Sequence, residues 1–278
     1  MKKIFLAVFG LVMMTATAAR AEHKLLVTDI LDPKQVEAQA TLEYTHAAGN
    51  VASPLDGTGK VYYNTTESLY SVGVGIVPGF EMSASIPYLF NERAKVEMPG
   101  LNPELEQRDG FGDFALEGKF HLLGGEEERY AVVGGLGLKF DTAGKGSGGT
   151  GTTDVSPFLA ASCKVNHHHT PYAIYRATIR NNGEQDTHTL TLGVEKEINH
   201  TFTLDAKFDA NFNTATSKVT ANEDFDLEAA TYVQVAHNFY LIPSVAYVWA
   251  TDASDKETGV KVKDVDGVRL GFSLYYLF

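Results

Sequence analysis

The chain has one cysteine, one tryptophan and only 9 prolines in 278 residues. A lone thiol, Cys163, can build neither a disulfide framework nor a cysteine-rich zinc site. With so few prolines, the 26 glycines cannot belong to a collagen-like repeat. Bases are also scarce: 23 Lys and Arg stand against 35 Asp and Glu, for a formal net charge of −12, which excludes a basic nucleic-acid-binding surface. After the first 21 residues no stretch approaches the ~20 apolar residues of a membrane helix, which argues against a helical inner-membrane protein. What the chain does have is apolar and aromatic surface. Hydrophobic residues make up 44%, with 16 Phe and 13 Tyr, too many for a disordered chain.

The first residues read Met1-Lys2-Lys3, an uncharged run from Ile4 to Ala19, then Ala19-Arg20-Ala21. A basic start, a short apolar run and an A-x-A site form a secretory signal peptide, expected to be cut after Ala21. Loss of Lys2, Lys3 and Arg20 leaves 20 bases against 35 acids, a mature net charge of −15.

From Val36 the mature chain alternates with period two. Val36, Ala38, Ala40, Leu42 and Tyr44 share one face, and Glu37, Gln39, Thr41, Glu43 and Thr45 the other. Phe202 to Phe212 repeats the pattern, with Asp205, Lys207 and Asp209 at alternate places. Strands are expected at about 35–47, 60–76, 80–90, 113–122, 129–142, 153–165, 171–180, 187–196, 201–213, 224–235, 239–250 and 266–278. Most reach the roughly 9–11 residues that cross a bilayer when tilted. Tight turns at Val77-Pro78-Gly79, Asn199-His200 and Ala236-His237-Asn238 alternate with longer polar loops at 48–59, 91–112, 143–152, 214–223 and 251–265. Short turns on one rim and long loops on the other predict an all-β fold, a transmembrane antiparallel barrel of about twelve strands with both termini periplasmic. Aromatic residues near the expected strand ends, among them Tyr44, Tyr88, Phe90, Phe140, Phe239, Trp249 and Phe278, fit the two interfacial girdles.

After Gly271, the apolar row Phe272, Leu274, Tyr276 and Phe278 alternates with Ser273, Tyr275 and Leu277. This ending resembles the C-terminal assembly signal of bacterial outer-membrane proteins, which implies the barrel-assembly machinery as a partner and the Gram-negative outer membrane as the destination. Residues 110–122, GFGDFALEGKFHL, and 132–162, VVGGLGLKFDTAGKGSGGTGTTDVSPFLAAS, resemble the outer-membrane family of transporters of the MetA pathway of phenol degradation; Leu26-Val27-Thr28-Asp29 is similar as well. The resemblance covers most of the mature chain through strand-and-turn patterns. It implies a small barrel taking up hydrophobic or aromatic compounds.

If apolar residues face lipid, the lumen receives Glu37, Glu43, Glu67, Glu81, Glu117, Asp141, Asp154, Glu195, Asp205, Asp209, Asp226 and Glu228, with Lys119, Lys139, Lys164, Arg176, Arg180, Lys207 and Arg269. An Arg or Lys on the lipid face at mid-bilayer would cost about 2–4 kcal/mol, so these groups must face water or one another. Arg176 and Arg180 repeat on one face, Asp205 and Asp209 on another two strands away, with Glu195 between. This allows either a transverse field that orients solutes at a constriction or cross-strand ion pairs that fill the barrel. The acidic excess favours cations over anions.

Other motifs carry less. His167, His168 and His169, with His200 and His237, lie in turns of one rim and are weak metal candidates without the spacing of a closed site. Gly144-Lys145-Gly146-Ser147-Gly148-Gly149 contains G-x-G-x-x-G, but a strand rather than a helix is expected next. Cys163 falls on the apolar face. His188 is outward, with no serine assignable to it as a nucleophile, so no enzyme is expected. Gly73, Gly75, Gly135 and Gly137 are places where the wall could open to a hydrophobic solute.

The expected organisation is a signal peptide at 1–21, a lead or plug at 22–34 and an outer-membrane barrel at 35–278. The expected protein is a monomeric passive channel for a small solute, working in the lipid bilayer without a cofactor; a non-conducting scaffold for periplasmic or surface partners is the alternative.

Overall fold

The structure, a computed structural model, describes residues 26–54, 57–99, 104–125, 128–144, 147–166 and 168–278. The expected signal peptide and His167 lie outside the described residues. Fourteen strands follow one another: β1 (Val36–Ser53), β2 (Gly57–Val77), β3 (Phe80–Glu97), β4 (Glu104–Phe111), β5 (Ala115–Gly124), β6 (Tyr130–Lys139), β7 (Asp154–Cys163), β8 (His169–Arg180), β9 (Thr187–Asn199), β10 (Phe202–Asn213), β11 (Asn222–Ala236), β12 (Phe239–Ala250), β13 (Ala253–Ser254) and β14 (Lys261–Leu277). All but β4 and β13 form an antiparallel ring of twelve, closed where β1 pairs with β14 from Glu37↔Leu277 to Ala52↔Lys261. β4 pairs with the far half of β3, and β13 pairs with β14. A closed ring leaves no open sheet edge, the condition for a β-structure to sit in lipid.

Side chains alternate as the pleat requires. On β10, Phe202, Leu204 and Phe212 are exposed on the outer face, while Thr203 and Asp205 are buried within. Leu42, Val72, Leu136, Leu159, Leu192, Leu227, Val245 and Leu270 are likewise exposed. So broad an apolar surface is a liability in water and the ordinary solution in a bilayer. Cys163 pairs with Tyr130 on this outer face.

The strands outrun the expected boundaries. Loops expected at 48–59 and 91–112 are largely sheet: β1 runs to Ser53, β2 starts at Gly57, and β3 continues to Glu97 before returning as β4. Likewise β14 begins at Lys261 and takes up the end of the loop expected at 251–265. These extensions carry polar and charged residues because a strand standing in water needs ladder bonds and cross-strand pairs rather than an apolar face. Arg108 to Glu92 at 2.6 Å is one such pair. At about 3.3 Å per residue and a ~40° tilt, Tyr44 lies roughly 20 Å above the short-turn rim, and Phe90 and Trp249 roughly 25 Å. The aromatics therefore mark the edge of an apolar band ~25 Å tall, even where the strand continues past it. Trp249 stacks there on Phe225 at 5.3 Å and Tyr247 at 5.5 Å.

Candidate solute pathway

Residues 26–35 do not hang from the barrel but turn back into it at the short-turn rim. Leu31 is 1% exposed, packed with the inward-facing Tyr240, Ile242, Tyr275 and Leu277, while Ile30 joins Val133 and Phe158 on the other side. The backbone is held as well: Leu31 N–H donates to Glu81 Oε2 at 2.8 Å, and Lys34 N–H to the Gly75 carbonyl at 2.8 Å. The Thr28 and Ser162 hydroxyls are bonded at 2.8 Å. Gly75 makes the crossing possible, since a Cβ there would lie 2.6 Å from the Leu31 carbonyl oxygen and closer still to that of Asp32. The expected wall gap at the four glycines is corrected by the structure. Gly73, Gly75, Gly135 and Gly137 are paired on both sides, so the wall is continuous there. A Cβ at Gly135 would meet the Phe158 ring and one at Gly73 the Glu37 side chain; these glycines make room inside rather than weaken the wall.

Asp141 and Lys164, expected in the lumen, are exposed past the ends of β6 and β7; the other charged side chains named from the sequence line the same interior, mostly in pairs. Lys119 meets Glu81 at 3.1 Å, and Arg176 meets Glu117 at 2.8 Å with its guanidinium 4.4 Å above the Phe158 ring. Arg180 meets Asp154 at 3.5 Å and also donates to the Gln185 carbonyl and Thr187 hydroxyl. Arg269 reaches Asp226 and Glu228, both at 3.2 Å, and Lys207 approaches Glu228 at 3.4 Å. Asp205 and Asp209 are not paired with Arg176 or Arg180. Tyr172 donates to the two Asp205 oxygens at 3.0 and 3.2 Å, and the Thr191 hydroxyl donates to Asp209. Arg176 is bound to β5, and Arg180 to β7, its own loop and the start of β9, while the two aspartates keep hydroxyl partners.

A cavity of about 210 Å³ lies between Leu26 and Val27 of the inserted segment and the wall of β8 to β11. Its lining includes Tyr172, Ile174, Glu195, Asp205 and Tyr232. Glu195 is 8% exposed and stands directly across from Asp205 in the β9–β10 ladder.

At the other rim, Asp113 organises the loop between β6 and β7. Its Oδ1 accepts from the Thr142 and Ala143 amides at 3.1 and 3.0 Å, and its Oδ2 from the Thr150 amide and hydroxyl at 2.8 and 3.0 Å. Burial alone would raise this carboxyl. The amides of Thr150, Ala143 and Thr142 and the Thr150 hydroxyl outweigh burial and hold it below the usual carboxylate range. Lys139 adds contacts to Asp154 at 2.9 Å and Asp113 at 3.8 Å. In the sequence, Gly-Phe-Gly-Asp at 110–113 carries only a strand-and-turn pattern. What could have marked Asp113 is an acid behind two glycines next to a Gly/Thr-rich loop rich in free amides.

The remaining candidates are placed simply. His168 donates its backbone N–H to Asn166 Oδ1 at 2.9 Å, and the His169 ring bonds the same oxygen at 3.0 Å; among the described residues no cluster of three or more His, Cys, Asp or Glu is arranged to hold a metal. Strand β7 rather than a helix follows the glycine run. His188 on the outer face bonds the Tyr175 hydroxyl at 2.8 Å. In the C-terminal motif, Phe272, Leu274 and Tyr276 form the outward row and Gly271 faces inward against Ser244. Phe278 N–H donates to the Val36 carbonyl at 2.7 Å, closing the seam.

No protein-family model matches the chain, and no curated protein matches it. Among solved structures, it is similar to the COG4313 outer membrane channel from Pseudomonas putida F1 at 10% identity, covering 92% of this chain and 100% of that one with a TM-score of 0.67. It is also similar to the KdgM porin in complex with disordered oligogalacturonate at 10% identity, covering 85% and 98% of the two chains with a TM-score of 0.50. At such identities the likeness is one of fold: this is the barrel architecture of outer-membrane channels.

Proposed function

We propose that the chain is a passive outer-membrane channel for a small solute, exported by a cleaved signal peptide, inserted as a monomer by the barrel-assembly machinery and working without a cofactor. One observation carries this reading: a closed wall, apolar outside, encloses an interior lined by charged and hydroxyl side chains, a water-compatible path through lipid. The short-turn rim, where residues 26–35 insert, is the periplasmic one. The acidic excess of the lumen, with Glu117, Glu195, Asp205, Asp209, Asp226 and Glu228 against Lys119, Arg176, Arg180, Lys207 and Arg269, favours cations. The resemblance to the MetA-pathway family adds hydrophobic or aromatic compounds as the cargo class. With the wall continuous at the four glycines, such a cargo travels through the lumen. The test is planar-bilayer conductance of the refolded mature protein with reversal potentials in a KCl gradient; discrete cation-preferring steps are expected.

The buried packing of residues 26–35 favours one second reading, a barrel kept shut that acts as a scaffold. A folded barrel silent in the bilayer both with and without residues 22–34 selects it.

A further inference from the structure

We infer that the cavity beside residues 26–27 is a binding site for an organic ammonium ion carrying an aromatic or aliphatic body, an inference that rests on the channel reading and names a solute for it. Glu195 and Asp205 are directly opposed carboxylates on neighbouring strands, an arrangement that repels unless a cation or a proton is shared between them. Among the described residues, their surroundings do not supply the cation. Asp205 is satisfied by the hydroxyls of Tyr172 and Tyr232. Lys207, the base lining the cavity, is engaged with Glu228 at 3.4 Å. Asp29 of the inserted segment adds a further negative neighbour to Glu195. Glu195 is more than nine-tenths buried, and its Oε1 has no hydrogen-bond partner among the described residues, although it lines the cavity. A buried carboxylate oxygen without a partner is costly, and an ammonium donor is the group that relieves it.

The rest of the lining fits what such a cation would carry. Tyr172 and Tyr232 offer aromatic surface, which attracts cations and apolar groups alike, and Leu26, Val27 and Ile174 offer aliphatic surface. An inorganic cation would leave those walls unused, and a neutral hydrocarbon would leave Glu195 unrelieved. Because Leu26 and Val27 form one wall, an occupant also touches the inserted segment.

The experiment titrates 2-phenylethylammonium chloride into the folded mature protein in detergent micelles by calorimetry. 3-Phenylpropionate, similar in its ring but of opposite charge, and KCl serve as comparisons. Saturable binding of the ammonium compound at one site is expected, with no binding of the carboxylate. Glu195→Gln, nearly isosteric and checked for folding by heat-modifiable gel mobility, should weaken it about tenfold or more. In the bilayer, the same compound should block current in the wild type and fail to do so in E195Q. Equal affinity for the ammonium and the carboxylate, or a wild-type affinity in folded E195Q, overturns the site whether or not the barrel conducts. Ammonium binding lost in E195Q from a barrel that passes no current upholds the site and removes the channel reading.

Discussion

Replacing Leu31 by aspartate should release the inserted segment without unfolding the barrel. Leu31 is 1% exposed within the Tyr240, Ile242, Tyr275 and Leu277 cluster. Its loss removes about 1.5–3 kcal/mol of burial. A carboxylate in its place, beside Glu81, adds an unpaired buried charge worth a further ~3–5 kcal/mol. None of the ring's ladder pairings involves Leu31, so undocking relieves both penalties at less expense than opening the wall. At ~1.4 kcal/mol per factor of ten, even a net shift of roughly 4 kcal/mol moves the docked-to-undocked ratio about 10³-fold. The assay is single-channel conductance of wild type, Leu31→Asp, Leu31→Met and a variant lacking residues 22–34. Leu31→Asp should match the deletion, with higher conductance or a longer open time, and Leu31→Met should match wild type. A folded Leu31→Asp barrel with the wild-type conductance histogram refutes the reasoning, because the segment would then not narrow the path.

The same contact can be locked. With Thr28→Cys and Ser162→Cys in a Cys163→Ser background, the pair now joined at 2.8 Å should oxidise to a disulfide and hold the segment, with conductance restored to the starting value by reductant. Arg176→Ala leaves Glu117 without its 2.8 Å partner, so the reversal potential in a salt gradient should move toward stronger cation preference; an unchanged potential and conductance would show that this pair does not face the ion path. Because the folded-state value of Asp113 is depressed, its contribution to holding the 140–153 loop is complete above the ordinary carboxylate value of about 3.9 and is lost as the pH falls through the lower folded value. Proteolysis of that loop should therefore be slow from neutral pH down to about 4 and accelerate only below it, whereas Asp113→Asn should be cut faster throughout. Deleting Phe278 removes its 2.7 Å bond to Val36 and the edge contact with Tyr276 at 4.4 Å; lower levels of heat-modifiable barrel in outer-membrane fractions are expected.

The ring of twelve strands was readable because a wall with lipid on one side and water on the other enforces period two along every crossing, as in Thr203 to Phe212. The limits of β1, β3 and β14 were not, because beyond the bilayer the apolar face is no longer needed and residues such as Asn91, Glu92 and Arg93 read as loop. Arg176 and Arg180 could be put on one face from their spacing of four. Their partners could not be named: Glu117 lies on β5, three strands away from β8 around the ring, and long side chains choose among several neighbours by the local cross-section. The segment at 26–35 was the least legible. Leu26, Val27, Ile30 and Leu31 stand at i, i+1, i+4 and i+5, a helix-like spacing too short before Pro33 to signal the non-helical docked segment, and their partners Tyr275 and Leu277 lie at the opposite end of the chain.

That last separation bears on the order in which the molecule is made. Leu31 docks on side chains from β12 and β14 and is tethered to β2 and β3, so its pocket spans the seam where β1 meets β14. Before the first and last strands zip together, the two halves of that pocket are apart and the segment has no berth. Contacts of such long sequence separation form late. Docking of residues 26–35 is thus the terminal event of biogenesis, a latch that can engage only in a barrel already complete, and its protection from exchange or protease would time-stamp closure of the seam.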